Sequence, residues 1–148
     1  MKAKDIMSTN IVSCHPDTSV KDAARLMTLK GFSSLPVVNG NNEIRGIISA
    51  SDFIGKEIEV PHAMASMKRL LGQNFYRISI EDIYKKTQHF KVSQIMTTKL
   101  NTVTPETSID GVVKSMIEKH HKRLPVVDNG VLVGMITRKD LLKAFILV

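Results

Sequence analysis

Residues 2–56 and 91–144 of this chain carry one pattern twice, and recurrence at a fixed offset restricts the fold to two copies of one supersecondary unit. At an offset of 89, Ile6-Met7 matches Ile95-Met96, Pro16 matches Pro105, Thr18-Ser19 matches Thr107-Ser108, and Met27 matches Met116. Leu35-Pro36-Val37-Val38 recurs as Leu124-Pro125-Val126-Val127. The offset then falls to 88, because the turn Asn39-Gly40-Asn41-Asn42-Glu43 is one residue longer than Asp128-Asn129-Gly130-Val131; Gly46, Ile48 and Asp52 match Gly134, Ile136 and Asp140. A one-residue change confined to an Asn/Gly turn is the kind loops tolerate.

Each repeat reads as strand, helix, strand, strand, helix. An extended stretch at 11–14 leads through Pro16 to a helix with Thr18 as the expected N-cap. Val20, Ala23, Ala24 and Met27 share one helical face, as do Ile109, Val112, Val113 and Met116. Gly31 is placed to end the first helix. Strands at 35–38 and 44–48 form a hairpin. Pro36 cannot donate to a ladder and belongs at a strand start or edge. A last helix is expected to begin near Ser49 or Thr137. Units of about 55 residues are marginal alone, so the two should pack about a pseudo-twofold axis.

The expected organisation is thus an α+β chain with repeat one at 1–56, a helical insertion at 57–90 and repeat two at 91–148. The insertion is too long for a plain loop. Met64, Met67, Leu70 and Leu71 have helical spacing, and Ser79-Ile80-Glu81-Asp82 reads as a capping box opening a second helix with Ile83 and Tyr84. A packing or partner-facing stripe accounts for the methionines and leucines. The nonpolar surface left over leads us to expect a homodimer.

At 148 residues the chain can bury one core or two small half-cores. The longest apolar runs, such as 145–148, are far below the roughly 20 residues of a membrane span. The N-terminus meets Asp5 before any apolar stretch, and Cys14 is the single cysteine, which together point to the cytoplasm. Net charge is +7, favouring anionic partners without choosing among them.

The ordered set Ile-Met, Pro-x-Thr, amphipathic helix, Leu-Pro-Val-Val and Gly-x-x-[Ser/Thr]-x-x-Asp, given twice, resembles paired CBS (cystathionine-β-synthase type) domains. The resemblance covers about three quarters of the chain and leaves out 57–90. It implies two βαββα-like repeats with clefts between them, taking AMP, ADP, ATP or another adenosyl ligand, with no required cofactor. It also implies a dimer and signalling to a partner protein whose identity is unknown. By resemblance, Ser49 and Asp52 with Thr137 and Asp140 match ribose-contacting positions, where a carboxylate accepts from both ribose hydroxyls. The same spacing is also a capping box needing no ligand, as Thr107-Ser108-Ile109-Asp110 illustrates. The family often sets basic residues ahead of Leu-Pro-Val to meet phosphates. Repeat two has Lys122 and Arg123 there, where repeat one has Ser33 and Ser34. The alternative for these cations is a solvated helix end. Val12 and Ser13, with Asn101 and Thr102, match adenine-facing backbone, against plain strand packing.

Other chemistry finds little support. Adjacent His120-His121 point about 100° apart on a helix and have no second ligand pair at zinc spacing. Cys14 and His15 are neighbours whose side chains face opposite ways on a strand. Neither a Walker loop nor a Gly-x-Gly-x-x-Gly fingerprint is present. The sequence therefore favours a non-catalytic ligand-binding module. Its rivals are a structural interaction domain with empty clefts and a nucleic-acid binder, the latter weakened by two Tyr, five Phe and no Trp for base stacking.

Overall fold

The computed structural model describes residues 1–54 and 80–148. The methionine and leucine stripe and the Ser79 cap lie outside the described residues. Repeat one contains α1 (Ala3–Ile6), α2 (Val20–Lys30), β1 (Ser34–Val38), β2 (Ile44–Ser49) and α3 (Ala50–Ile54). After α4 (Ile80–Thr87) and α5 (Val92–Ile95), repeat two supplies α6 (Ile109–Glu118), β3 (Arg123–Asp128), β4 (Val131–Thr137) and α7 (Leu141–Leu147).

The two hairpins are antiparallel copies down to their irregularities. β1 pairs β2 with a register shift between Val37 and Val38; β3 pairs β4 with the same shift between Val126 and Val127. The indel sits where expected. Asp128 pairs Val131 around Asn129 and Gly130, both at positive φ, the residue pair a tight two-residue turn favours. The longer first turn instead places Asn42 at φ 60.

Local boundaries differ from expectation in three places. The N-cap of α2 is Ser19, which accepts from Asp22 N at 3.1 Å, because the Thr18 hydroxyl is already engaged by His15 N at 3.0 Å. Repeat two does the same, with Ser108 capping α6 and Thr107 engaged by Thr104 N. The extended stretches at 11–14 and 100–103 shrink to single parallel bridges, Cys14 to Val37 and Val103 to Val126. Cys14 N donates to Pro36 O, and Val38 N donates to Cys14 O, so Pro36 faces this edge and its missing N–H removes nothing from the β1–β2 ladder. Finally, α3 starts at Ala50 as expected, whereas α7 starts only at Leu141. A run of i to i+3 bonds through 137–143 winds that first turn too tightly for an α-helix.

The segment opening each repeat packs on the other repeat. Ala3 N donates to Thr107 O at 2.8 Å, and Ser8 and Met135 exchange two backbone bonds of 2.9 Å. In mirror image, Val92 N donates to Thr18 O at 2.8 Å, and Ile47 and Thr97 exchange bonds of 2.9 and 2.8 Å. Two cores result. Ala3 and Ile6 sit with Val112, Met116, Leu124 and Ile136, while Val92 sits with Ala23, Met27, Leu35 and Ile48. Each buried Ile or Val contributes about 1.5–3 kcal/mol. Surface ion pairs repeat the exchange: Lys2 and Lys4 bind Glu106, and Lys91 binds Asp17 at 3.3 Å.

Between the repeats, Val38, Leu132 and Met135 form a third cluster with Ile11, Ile44 and Val127. The hairpin tips interlock there, through Ile44 N to Gly130 O and Leu132 N to Asn42 O. Among the described residues, no helix is long and apolar enough to cross a membrane.

Candidate functional site

The tight turn ahead of α7 fixes the most distinctive polar group of repeat two. Asp140 Oδ2 accepts from Thr137 N at 2.8 Å and from Thr137 Oγ1 at 3.1 Å. Asp140 Oδ1 pairs with Lys143 Nζ at 2.8 Å. Burial pushes this carboxyl up, but the bonds from Lys143 and Thr137 outweigh it and hold the group below the ordinary Asp value. The half-turn is the capping-type arrangement that the spacing allows without a ligand. It nevertheless leaves the carboxylate at the edge of open space.

That space is a cleft of about 540 Å³ between the repeats. Thr137, Asp140, Lys143 and Leu142 form one wall, and Ile11 and Val12 reach it from repeat one; Met135, Phe32 and Arg123 close it further. An adjoining recess of about 360 Å³ shares Phe32, Arg123, Thr137 and Lys139 and adds Lys122 and Arg138. Lys122, Arg123, Arg138 and Lys139 therefore line the recess, and Lys143 adds a fifth cation in the cleft, beside the apolar Ile11, Val12, Phe32, Met135 and Leu142. This geometry suits a ligand with a flat apolar body, a hydroxylated centre and an anionic tail.

Arg123 joins the two spaces. Its Nη1 donates to Ser34 O at 2.6 Å, and its guanidinium lies 5.0 Å from the centre of the Phe32 ring. Ser34 is the residue that matches Arg123 at the offset of 89, so this contact crosses the pseudo-twofold axis. Burial lowers the Arg123 pKa, opposed by the charge of Asp140, and the buried Nε has no hydrogen-bond partner among the described residues.

The remaining candidates lie elsewhere. Ser49 and Asp52 form the equivalent arrangement over the first turn of α3, with Ser49 N donating to Asp52 Oδ2 at 2.8 Å. Asp52 is wholly buried, and Thr97 Oγ1 donates to its second oxygen at 3.3 Å. Neither residue lines the two spaces described above. Asn101 donates to Ser115 Oγ at 2.6 Å, Thr102 is exposed, and Ser13 is half-buried beside Val12 without reaching the cleft wall. Sequence reasoning missed Phe32, Arg138, Lys139 and Lys143. The two cations between Thr137 and Asp140 were readable, since repeat one has Ala50 and Ser51 there. Phe32 was not, because it comes from the other repeat.

His120, His121 and Cys14 line neither space. His120 adopts φ 53 at the end of α6, where His121 N donates back to Met116 O at 3.1 Å. Burial pushes the Cys14 thiol up to about 11, which leaves it un-ionised at neutral pH.

Comparison with known proteins adds relatives of the same build. An uncharacterized protein of Methanocaldococcus jannaschii is 32% identical over 99% of this chain and 92% of its own length. The AMP-activated protein kinase gamma subunit of Kluyveromyces lactis is 30% identical over 97% of this chain, which spans only 39% of that subunit. The chain likewise spans 58% of CBSX2 of Arabidopsis thaliana, at 27% identity over 91% of this chain. The solved structure of CBSX2 in complex with AMP superimposes with a TM-score of 0.72 at 26% identity, covering 99% of this chain and 96% of that one. Residues 3–59 and 92–147 match the CBS domain, and the chain is a tandem pair belonging to the CBS domain family.

Proposed function

We propose that the chain is a non-catalytic regulatory module that binds an adenine nucleotide, AMP, ADP or ATP, in the Asp140 cleft and reports occupancy to a partner protein. The observation that carries this reading is the convergence of Thr137, Asp140, Val12 and Arg123 on one cleft with a basic recess at its end. Thr137 and Asp140 meet the ribose, the backbone beside Val12 faces the base, and Lys122 and Arg123, joined by Arg138 and Lys139, meet phosphate. The related CBSX2 was solved with AMP. Ser49 and Asp52, with Asn101 and Thr102, mark the equivalent position in the other half by pseudo-symmetry, where Asp52 is buried and none of the four lines either space.

A second reading, an interaction domain with empty clefts, draws on α7. Phe145 and Ile146 are each 82% exposed there, a surface that also suits the expected homodimer. Ligand-dependent melting separates the two. At about 100 times the dissociation constant, a nucleotide adds roughly 2.7 kcal/mol, or several degrees at about 2–4 °C per kcal/mol. Asp140→Ala should remove most of that shift. Arg123→Ala should weaken AMP about tenfold or more in calorimetry while sparing adenosine, since charge-assisted bonds contribute about 1.5–3 kcal/mol. If no adenosyl compound at millimolar level moves the transition, the interaction-domain reading replaces this one.

A further inference from the structure

Asp140 has about four acceptor positions on its two oxygens. Thr137 fills two on Oδ2, through its amide and its hydroxyl. Lys143 fills one on Oδ1 at 2.8 Å, and the same ammonium donates to Ile6 O at 3.3 Å, so it is tethered to the end of α1. Among the described residues, one position remains. Lys143 also lines the cleft. In repeat one the offset of 88 puts Gly55 at the matching position, so that half has no side chain from this position to set against Asp52.

We propose that Lys143 is a specificity-determining latch, occupying the carboxylate oxygen that Thr137 leaves open, so that a ligand offering two adjacent hydroxyls meets a single vacant acceptor. The inference deepens the nucleotide reading and rests on it. A nucleoside that engages Asp140 through both ribose hydroxyls must displace Lys143 from Oδ1. A 2′-deoxynucleoside, with one hydroxyl to place, need not. The latch therefore narrows the preference of the cleft for ribo over deoxyribo ligands.

The test uses the uncharged probes adenosine and 2′-deoxyadenosine, so that attraction between an ammonium and phosphate does not enter. Both are titrated calorimetrically into the full chain as wild type, Lys143→Met, Lys143→Arg and Asp140→Ala, each first checked by its melting transition. Lys143→Met should tighten adenosine about two- to fivefold, the size of a released partly exposed ion pair, and leave 2′-deoxyadenosine unchanged. Lys143→Arg should behave as wild type. Adenosine binding that is unchanged or weaker in Lys143→Met, or both nucleosides tightening equally, overturns the latch. If wild type binds and Asp140→Ala does not, that failure leaves the nucleotide reading standing. If adenosine binds to no variant, the latch falls, and the nucleotide reading stands or falls with AMP and ATP in the melting test. Should Lys143→Met fold poorly, Lys143→Gln gives the same comparison.

Discussion

Asp52 and Asp140 occupy equivalent turns in the two repeats, each accepting from the amide and hydroxyl of the residue three before it. Their surroundings diverge. Asp52 is sealed beneath Thr97, while Asp140 keeps a little exposure beside Lys143 and a cleft. The strands behind them match in pairing and in the position of the bulge. The comparison teaches that backbone and core were held alike while the charged rim was changed: Ser33-Ser34 against Lys122-Arg123, Ala50-Ser51 against Arg138-Lys139. On the proposed function, duplicated architecture sets where a ligand can sit, and the rim would set which half holds it.

If the cores are equivalent, breaking either should cost the same. Leu35 and Leu124 are both wholly buried at matching positions. Leu35→Ala and Leu124→Ala should each destabilise by about 2–5 kcal/mol, measured by denaturant unfolding with an unchanged slope. A gap between them well beyond experimental error would show that one repeat collapses around the lost volume more readily than the other.

The crossed-over segments give a sharper contrast. A Cβ on Gly46 would lie 2.6 Å from Met96 Sδ and 2.9 Å from Thr97 O. That carbonyl is bonded to Ile47 N and cannot retreat. At Gly134 the near atoms all belong to the Met7 side chain, with Cγ at 2.8 Å, and a methionine can repack. Gly46→Ala should cost about 1–3 kcal/mol and Gly134→Ala clearly less. The reverse order would mean that Met7 is the more tightly held of the two.

Helix ends differ in the same pairwise way. Gly31 and His120 correspond at the offset of 89, and both are left-handed, at φ 68 and φ 53. Phe32 N and His121 N then donate to the matching carbonyls of Met27 and Met116. Glycine takes this conformation freely, whereas a side chain is strained in it by about 1–2 kcal/mol. His120→Gly should therefore raise stability by up to about 1 kcal/mol, after the added freedom of the unfolded chain is counted, and Gly31→Ala should lower it. Loss of stability in His120→Gly would reveal a contact of the imidazole that outweighs the strain.

Much of this was legible in one sequence. The duplicated order of motifs located α2 and α6, both hairpins and the one-residue difference in their turns, because period, glycine and proline act locally. The crossing of α1 and α5 onto opposite repeats was not legible, since linear order is the same whether an opening segment packs on its own unit or on its neighbour. For the same reason the Ile-Met motif hid its role as a cover over Gly46 and Gly134. At the site, Thr137, Asp140 and Arg123 could be picked out by pattern. Phe32 beneath the guanidinium and the tether of Lys143 to Ile6 are tertiary facts. The Thr18 cap went wrong because two adjacent hydroxyls compete for neighbouring turns, and spacing does not say which one serves the helix.

The smallest expected effect concerns the surface clasps that pin the crossed segments. Lys2 and Lys4 both bind Glu106, whereas Asp17 has Lys91, and the residue matching Lys4 is Ser93. Hydrogen bonds from Lys2 and then Lys4 bring the Glu106 carboxyl down to about 2 from an ordinary value of 4.5. Between those values the unfolded chain takes up the proton before the native one, so stability rises with pH there. The contribution is fully present above about pH 4.5 and is lost as pH falls towards 2. Because the group is exposed, solvent and salt screen it strongly. Glu106→Gln should flatten the acid limb of the stability profile in that window at low ionic strength, and added salt should erase the difference from wild type. Asp17→Asn should change the profile less, having one lysine to lose rather than two. Acid unfolding followed by circular dichroism at low and high salt measures both. An Asp17→Asn effect as large as that of Glu106→Gln would show that Lys91, with His15 Nδ1 3.8 Å from Asp17, holds its segment as firmly as the two lysines hold theirs.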